Sequence, residues 1–109
     1  MLVVDDDPEA VEALCCLLAM DGYHVRGASS GTAAKAMLDA EPFDAVVTDL
    51  EMPGVGGLEV VAAAKGARVV VVTAGDDPAD RLRAEQLGAR KVFGKPVEYE
   101  ELASELSAP

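Results

Sequence analysis

Short apolar runs alternate with stretches whose apolar residues recur at helical spacing, five times along the chain. The first run, Leu2 to Val4, ends on Asp5, Asp6 and Asp7. Pro8 suits the first turn of a helix and Asp7 its N-cap. Val11, Leu14, Cys15 and Leu18 then fall on one helical face, and Gly22 closes the helix. Tyr23 to Ala28 reads as a second strand, its signal diluted by His24, Arg26 and Gly27. Ser30-Gly31 begins a second helix that runs through Leu38 and closes before Pro42. Phe43 to Thr48 is the third strand and runs into Asp49. After the glycine-rich loop Gly54 to Gly57, Leu58, Val61 and Ala62 mark a short third helix, stopped at Gly66. Val69 to Thr73 is apolar on both faces, as a central strand covered on each side requires. Asp77 or Asp76 caps a mostly polar fourth helix from Pro78 to Leu87, with Leu82 as its clearest anchor and Gly88 at its end. Lys91 to Gly94 is the fifth strand, leading to Lys95-Pro96. Tyr99, Leu102, Ala103 and Leu106 give the last helix its buried stripe.

A strand followed by a helix, repeated five times without a linker or repeat, predicts an α/β domain: a parallel sheet with helices on both faces. The 109 residues, half of them hydrophobic, suffice for one domain, 1–109, with a core that needs no staples. No window reaches the roughly 18 apolar residues of a membrane span. The start lacks a basic leader region and meets acid at once, so no secretory signal is expected. Nine basic against 20 acidic side chains give a formal charge of −11, which phosphate backbones would repel; direct nucleic-acid binding is not expected. Cys15 and Cys16 are neighbours on a helix, about 100° apart, and cannot form an ordinary disulfide. A packing role in a reducing, cytoplasmic compartment fits them.

Ligands of open parallel sheets bind beyond the carboxyl ends of the strands, where the strand order reverses. In the order 2-1-3-4-5, strands one and three are neighbours across that point, so Asp5, Asp6 and Asp49 converge. Thr73 ends strand four and Lys95 follows strand five, at the same rim. Two carboxylates ~4 Å apart repel by about 4 kcal/mol at an effective dielectric near 20. A bound proton or a cation must relieve that. Hard oxygen ligands suit Mg²⁺, with Mn²⁺ as a substitute. A carboxylate beside such a cation can act as nucleophile toward a phosphoryl group. Asp49, alone at the middle of the sheet, is the candidate, with Asp5 and Asp6 as a metal-holding pair. Lys95 would offset phosphoryl charge, Thr73 would donate a hydrogen bond, and Ala74 would leave room and offer its N–H. Taken alone, each aspartate reads more often as a helix cap or loop solvator, Lys95 as a surface lysine and Thr73 as a sheet residue. Their joint occurrence in this strand order carries the argument.

Val3-Val4-Asp5-Asp6-Asp7-Pro8, Thr48-Asp49-Leu50-Glu51-Met52-Pro53, Val72-Thr73-Ala74 and Lys95-Pro96 together resemble the receiver domain of two-component response regulators, over essentially the whole chain. The resemblance implies a flavodoxin-like (βα)5 three-layer sandwich and a phosphoacceptor domain rather than a turnover enzyme. It implies Asp49 as the acceptor of a phosphoryl group from the phosphohistidine of a sensor histidine kinase or a phosphotransfer protein. Mg²⁺ would be ligated by Asp6 and Asp49, by the Glu51 backbone carbonyl, and by Asp5 through water. Thr73 and Lys95 would sense the phosphoryl group, and the bond before Pro96 would be cis. An output domain or partner would be met on the face of helix four, strand five and helix five. One position departs from the pattern: Val92 stands where the family usually carries an aromatic ring three residues before the lysine. Phe93 cannot replace that ring, because adjacent strand residues face opposite sides. The usual ring movement is therefore not expected.

Three rivals use the same kind of fold. A haloacid-dehalogenase-type phosphatase matches Asp5-x-Asp7, but Glu9 stands where a threonine belongs. A flavin or nucleotide binder needs a glycine-rich phosphate loop after strand one, and the acidic run is its electrostatic opposite. A pseudo-receiver, an interaction module that never carries phosphate, fits Val92 but leaves the acids, Thr73 and Lys95 without a purpose.

Overall fold

The computed structural model describes residues 1–75 and 77–108. Among them lie five strands and five helices in strict alternation: β1 (Leu2–Val4), α1 (Pro8–Met20), β2 (Arg26–Ala28), α2 (Gly31–Ala40), β3 (Ala45–Thr48), α3 (Gly57–Ala63), β4 (Arg68–Thr73), α4 (Pro78–Gln86), β5 (Ala89–Gly94) and α5 (Tyr99–Ser107). The strands form one parallel sheet in the order β2-β1-β3-β4-β5. The sheet is parallel with helices on both faces, as the sequence pattern predicts, and the fold is the flavodoxin-like (βα)5 sandwich that the resemblance implies.

Side chains alternate between the two faces of each strand, and the core divides accordingly. Leu2, Val4, Val46, Val69 and Val71 pack with Ala34, Val60, Val61 and Ala84 on the side of α2, α3 and α4. Val3, Val47, Val70 and Val72 pack with Val11, Leu18, Leu102 and Leu106 on the side of α1 and α5. Complete burial of side chains such as Leu2, Leu18 and Leu102 stabilises by about 1.5–3 kcal/mol each. Caps set the helix starts. The Asp7 carboxylate accepts the Glu9 N–H at 3.0 Å, the Ser30 hydroxyl the Ala33 N–H at 3.1 Å, and the Asp77 carboxylate the Ala79 N–H at 2.9 Å. Asp77 is thus a cap of α4, and the alternative, Asp76, lies outside the described residues.

Several expectations are corrected. β2 begins at Arg26, not Tyr23, because its ladder partner β1 pairs only from Leu2, opposite Arg26. Tyr23 and Val25 pack into the core from the loop instead, and His24 gives its carbonyl to the Met1 nitrogen at 2.9 Å. β3 begins at Ala45, with Phe43 packing from the preceding loop. β5 begins earlier than expected, at Ala89, through a register irregularity opposite Val69 and Val70. Leu82 does not anchor α4: it is 57% exposed, and the small side chain of Ala84 takes the core position instead. Cys15 packs against the core as expected, whereas Cys16 is exposed.

α5 is clasped to α1 at its first residue. The Tyr99 hydroxyl donates to the Asp21 carboxylate at 2.5 Å, with the Leu17 carbonyl 3.2 Å away. Desolvation, then the hydrogen bond and charge of Asp21, push the phenol up to about 12 from its ordinary 10. The folded state therefore favours the protonated phenol. The clasp contributes stability that is complete below about pH 10 and lost as pH rises through about 12. In an ultraviolet titration, Tyr99→Phe is expected to remove the tyrosinate component centred near pH 12. A component near 12 that survives the substitution would show that the clasp is absent in solution.

Candidate functional site

The carboxyl ends of β1 and β3 lie side by side, with Val4 opposite Thr48 in the register. The ladder continues one step further, as the Asp49 N–H donates to the Val4 carbonyl at 3.0 Å. Asp5 is fixed in the same way on the other edge, its N–H donating to Ala28 at 3.2 Å. Backbone pairing thus delivers both carboxylates to one point. Each is oriented by a turn of its own: the Asp7 N–H donates to Asp5 Oδ1 at 3.0 Å, and the Glu51 N–H to Asp49 Oδ1 at 3.1 Å.

Lys95 closes the site from the far side of β4. Its backbone N–H donates to the Thr73 carbonyl at 2.8 Å, and its bond to Pro96 is cis. Its ammonium donates to Asp5 Oδ2 at 2.8 Å and to Asp49 Oδ2 at 2.9 Å. Asp49 is 6% exposed, and a carboxylate so buried requires a partner of this kind. For Asp5, burial acts to raise the pKa. The Lys95 hydrogen bond, the Asp7 N–H and the ammonium's charge outweigh it, so the net shift is downward. For Lys95, burial acts to lower the pKa, and the bonds and charges of Asp5 and Asp49 carry it upward. Asp6 has no ammonium. Desolvation, then the hydrogen bond and charge of Asp5 and the charge of Asp49, raise its pKa.

Asp5, Asp6 and Asp49 each offer a carboxylate oxygen, all within 4.8 Å of one another. Three hard oxygen donors, of which one ammonium neutralises only part, suit a divalent cation such as Mg²⁺. Thr73 is 2% exposed at the end of β4, and its hydroxyl accepts the Gly75 N–H at 3.1 Å. Ala74 beside it is exposed. Glu51 lies next to Asp49 through its backbone, and its side chain folds over Gly75. Val92 is not at the rim. It is half-buried against the core on the α2–α4 side, and Phe93 packs on the opposite side.

Two residues matter more than their sequence signal suggests. A side chain at Gly57 would collide with the Asp49 carbonyl and the Leu50 Cα, so the start of α3 rests directly on the backbone that carries the candidate nucleophile. A glycine in a glycine-rich loop carries no mark of this. Arg81, on the mostly polar α4, is half-buried, its guanidinium beside Gly94.

Residues 1–107 match the family model of the response regulator receiver domain. The chain belongs to that family. Receiver domains are regulatory phosphoacceptor modules, not turnover enzymes; they act between histidine kinases or phosphotransfer proteins and an output. Among curated relatives, this receiver domain is 34% identical over 111 residues to the transcriptional regulatory protein KdpE of Mycobacterium tuberculosis, covering 99% of this chain and 49% of that protein. It is 31% identical over 114 residues to the protein PilH of Pseudomonas aeruginosa, covering 99% of this chain and 94% of that one. The receiver domain spans about half the length of the first relatives, and nearly all of PilH. A solved response regulator from Burkholderia pseudomallei, with a phosphorylated aspartic acid, calcium ion and citrate, matches at a TM-score of 0.89 and 29% identity, over 98% of this chain and 65% of that one. A CheY-like receiver domain from Methanospirillum hungatei JF-1 matches at a TM-score of 0.92 and 25% identity, over 96% of this chain and 87% of that one. Among the described residues, no helix is long and apolar enough to cross a membrane.

Mg²⁺ is expected to raise the melting temperature of the receiver domain. A concentration a hundred times Kd adds about 2.7 kcal/mol, on the order of 10 °C for a domain of this size. Asp6→Asn is expected to raise the melting temperature of the metal-free protein at neutral pH and to remove most of the Mg²⁺ effect. The raised pKa of Asp6 means that its ionised form opposes folding, so the gain fades as pH falls through the raised value and is gone below the ordinary carboxylate range. An unchanged response to Mg²⁺ in Asp6→Asn would contradict the assignment. Gly57→Ala is expected to cost about 1–3 kcal/mol by overpacking against Asp49, read as a lower denaturation midpoint.

Proposed function

We propose that this chain is a single receiver domain, 1–109, that takes a phosphoryl group onto Asp49 from the phosphohistidine of a sensor histidine kinase or phosphotransfer protein. The observation that carries the reading is the Lys95 ammonium, bonded at once to Asp5 and Asp49 beside a third carboxylate. Asp5, Asp6, Asp49 and the Glu51 backbone carbonyl would hold Mg²⁺, or Mn²⁺ in its place. The cation supplies charge neutralisation for the incoming phosphoryl oxygens.

In the transfer, an Asp49 carboxylate oxygen attacks phosphorus, an O–P bond forms and the histidine N–P bond breaks. The imidazole leaves with that electron pair and takes up a proton. Asp49 is held for this step by its backbone bond to Val4 and by the Glu51 N–H. Lys95, freed from part of its contact with Asp49, follows the charge onto a phosphoryl oxygen. The Thr73 hydroxyl, bonded only locally by the Gly75 N–H, turns to donate to another, and the exposed Ala74 leaves that path open.

The output is read on the face of α4, β5 and α5 by an attached domain or a partner protein. Supporting this, α4 gives the core one buried residue, Ala84, and leaves Leu82 and Leu87 exposed. Two free cysteines fit a reducing compartment, and we place the domain in the cytoplasm.

Incubation with acetyl phosphate or phosphoramidate and Mg²⁺, followed by intact-mass measurement, tests the reading. One added phosphoryl group, absent in Asp49→Asn, is the expected result. An unchanged wild-type mass would leave the chain a pseudo-receiver interaction module instead.

A further inference from the structure

We infer that Arg81 is a positioning residue that sets the lifetime of the phosphorylated state, by drawing the Glu51 side chain away from the Asp49 phosphoryl group and onto α4. The inference rests on the phosphoacceptor reading above and adds to it a device specific to this chain.

Glu51 is tied to the acceptor at its backbone, its N–H on Asp49 Oδ1 at 3.1 Å. Its carboxylate folds over Gly75: Oε1 occupies the space that a Cβ at Gly75 would fill, and Thr73 Oγ1 lies 3.5 Å from the same point. Only a glycine leaves that space free. In this position the carboxylate lies on the threonine's side of the loop, while its own backbone holds Asp49.

Arg81 approaches from the other side. It sits in the second turn of α4, and its guanidinium crosses to the end of β5, where Nη2 lies 3.1 Å from the point a Gly94 Cβ would take. Glu51, Thr73, Gly75 and Arg81 line one small cavity between the β3–α3 loop and α4. Asp77 and Asp80 line it too, but Asp77 is engaged in capping α4. Arg81 is the one cation among the described residues that line it. No ion pair within 4.0 Å holds Arg81 among the described residues, so its charge is available.

Phosphorylation changes the balance. On Asp49 the carboxylate's own negative charge is replaced by a phosphoryl group's, about −1.5 to −2, a net gain of up to about one unit beside Glu51. The carboxylate is repelled from Gly75, and the guanidinium in the same cavity receives it. Left over Gly75, Glu51 would shorten the life of the acyl phosphate in two ways: by repelling the phosphoryl dianion, and by orienting a water through its proton. In that hydrolysis the water oxygen adds to phosphorus, the acyl O–P bond breaks, inorganic phosphate leaves with the water's protons shared between it and solvent, and Asp49 returns to a carboxylate. Pairing with Arg81 withdraws Glu51 from this path. It also ties the β3–α3 loop to a helix that the core holds through Ala84.

The test follows the loss of the phosphoryl group by intact mass after loading with acetyl phosphate and Mg²⁺ and removing the donor. Arg81→Ala is expected to shorten the half-life about threefold, the effect of one partly exposed ion pair. Arg81→Lys is expected to retain most of the wild-type lifetime, and Arg81→Gln to behave as Arg81→Ala. In a Glu51→Gln background, Arg81→Ala is expected to change nothing, because its effect passes through that carboxylate. A half-life unaffected by Arg81→Ala, a lysine that fails to rescue, or equal shortening in the Glu51→Gln background would each overturn the inference while leaving the phosphoacceptor reading intact. A wild-type protein that gains no mass would overturn both.

Discussion

One ammonium shared by two carboxylates organises the end of this sheet. Asp49 is nearly buried at the centre of the molecule, and an unpaired charge there would cost several kcal/mol. Lys95 follows β5, two positions away from β3 in the sheet. Lysine spans that distance because its stem is long, and because its backbone is first pinned to the Thr73 carbonyl. The same residue therefore ties β5 to β4 through the main chain, and to β1 and β3 through the side chain. With Asp5 and Asp49 occupied by Lys95, the remaining excess of negative charge falls on Asp6, the exposed member of the cluster. That distribution leaves one carboxylate facing solvent where a hydrated cation would arrive.

The backbone around Asp49 is built tightly and α4 loosely. Gly57 lets α3 press on the Asp49 backbone, and Gly31 lets the start of α2 press on Val55 in the loop between them. Met52 is buried in the core behind that loop. These contacts hold Asp49 in one place, as an in-line displacement requires. α4, by contrast, presents charge over most of its surface and places the smallest of apolar side chains in the core. Few buried contacts mean a low local cost of displacement. A change in charge at Asp49 can therefore be answered by α4 with little disturbance of the site itself.

The architecture was legible because the three central strands, β1, β3 and β4, are buried on both faces and end on or run into a polar residue, at Asp5, Asp49 and Thr73. The acids, Thr73 and Lys95 were legible as a site because the strand order brings their positions to one rim. The edges of elements were less so. Tyr23 to Val25 carries strand-like residues, but a strand forms only where a partner lies beside it, and β1 offers none before Arg26. Leu82 has the hydrophobicity of an anchor, yet the orientation of α4 is set by its close approach to the sheet at Ala84, which a leucine could not make. Cys15 and Cys16 are alike in sequence and differ only in which side of α1 they occupy. Gly57 and Arg81 were not legible at all. Their roles depend on contacts with residues distant in the chain, and neither residue type announces such a contact.

Val92 brings these features to one point. A ring at that position can couple to the threonine by filling the space the hydroxyl vacates, a steric signal that needs a bulky group on β5. Valine is β-branched and short, and here it is half-buried in the core, with no reach toward the rim. Phe93 supplies a ring, but on the wrong side of the sheet, beneath the Lys91 ammonium 5.7 Å from its centre. What the rim does hold near Thr73 is charge: the Glu51 carboxylate over Gly75, and the Arg81 guanidinium beside Gly94. Both glycines are small where a side chain would block the path between these groups. On the proposed reading, a phosphoryl group on Asp49 adds up to about one unit of negative charge. A rim that holds an anion and a nearby cation can register such a change through electrostatics, where a ring would register it through shape.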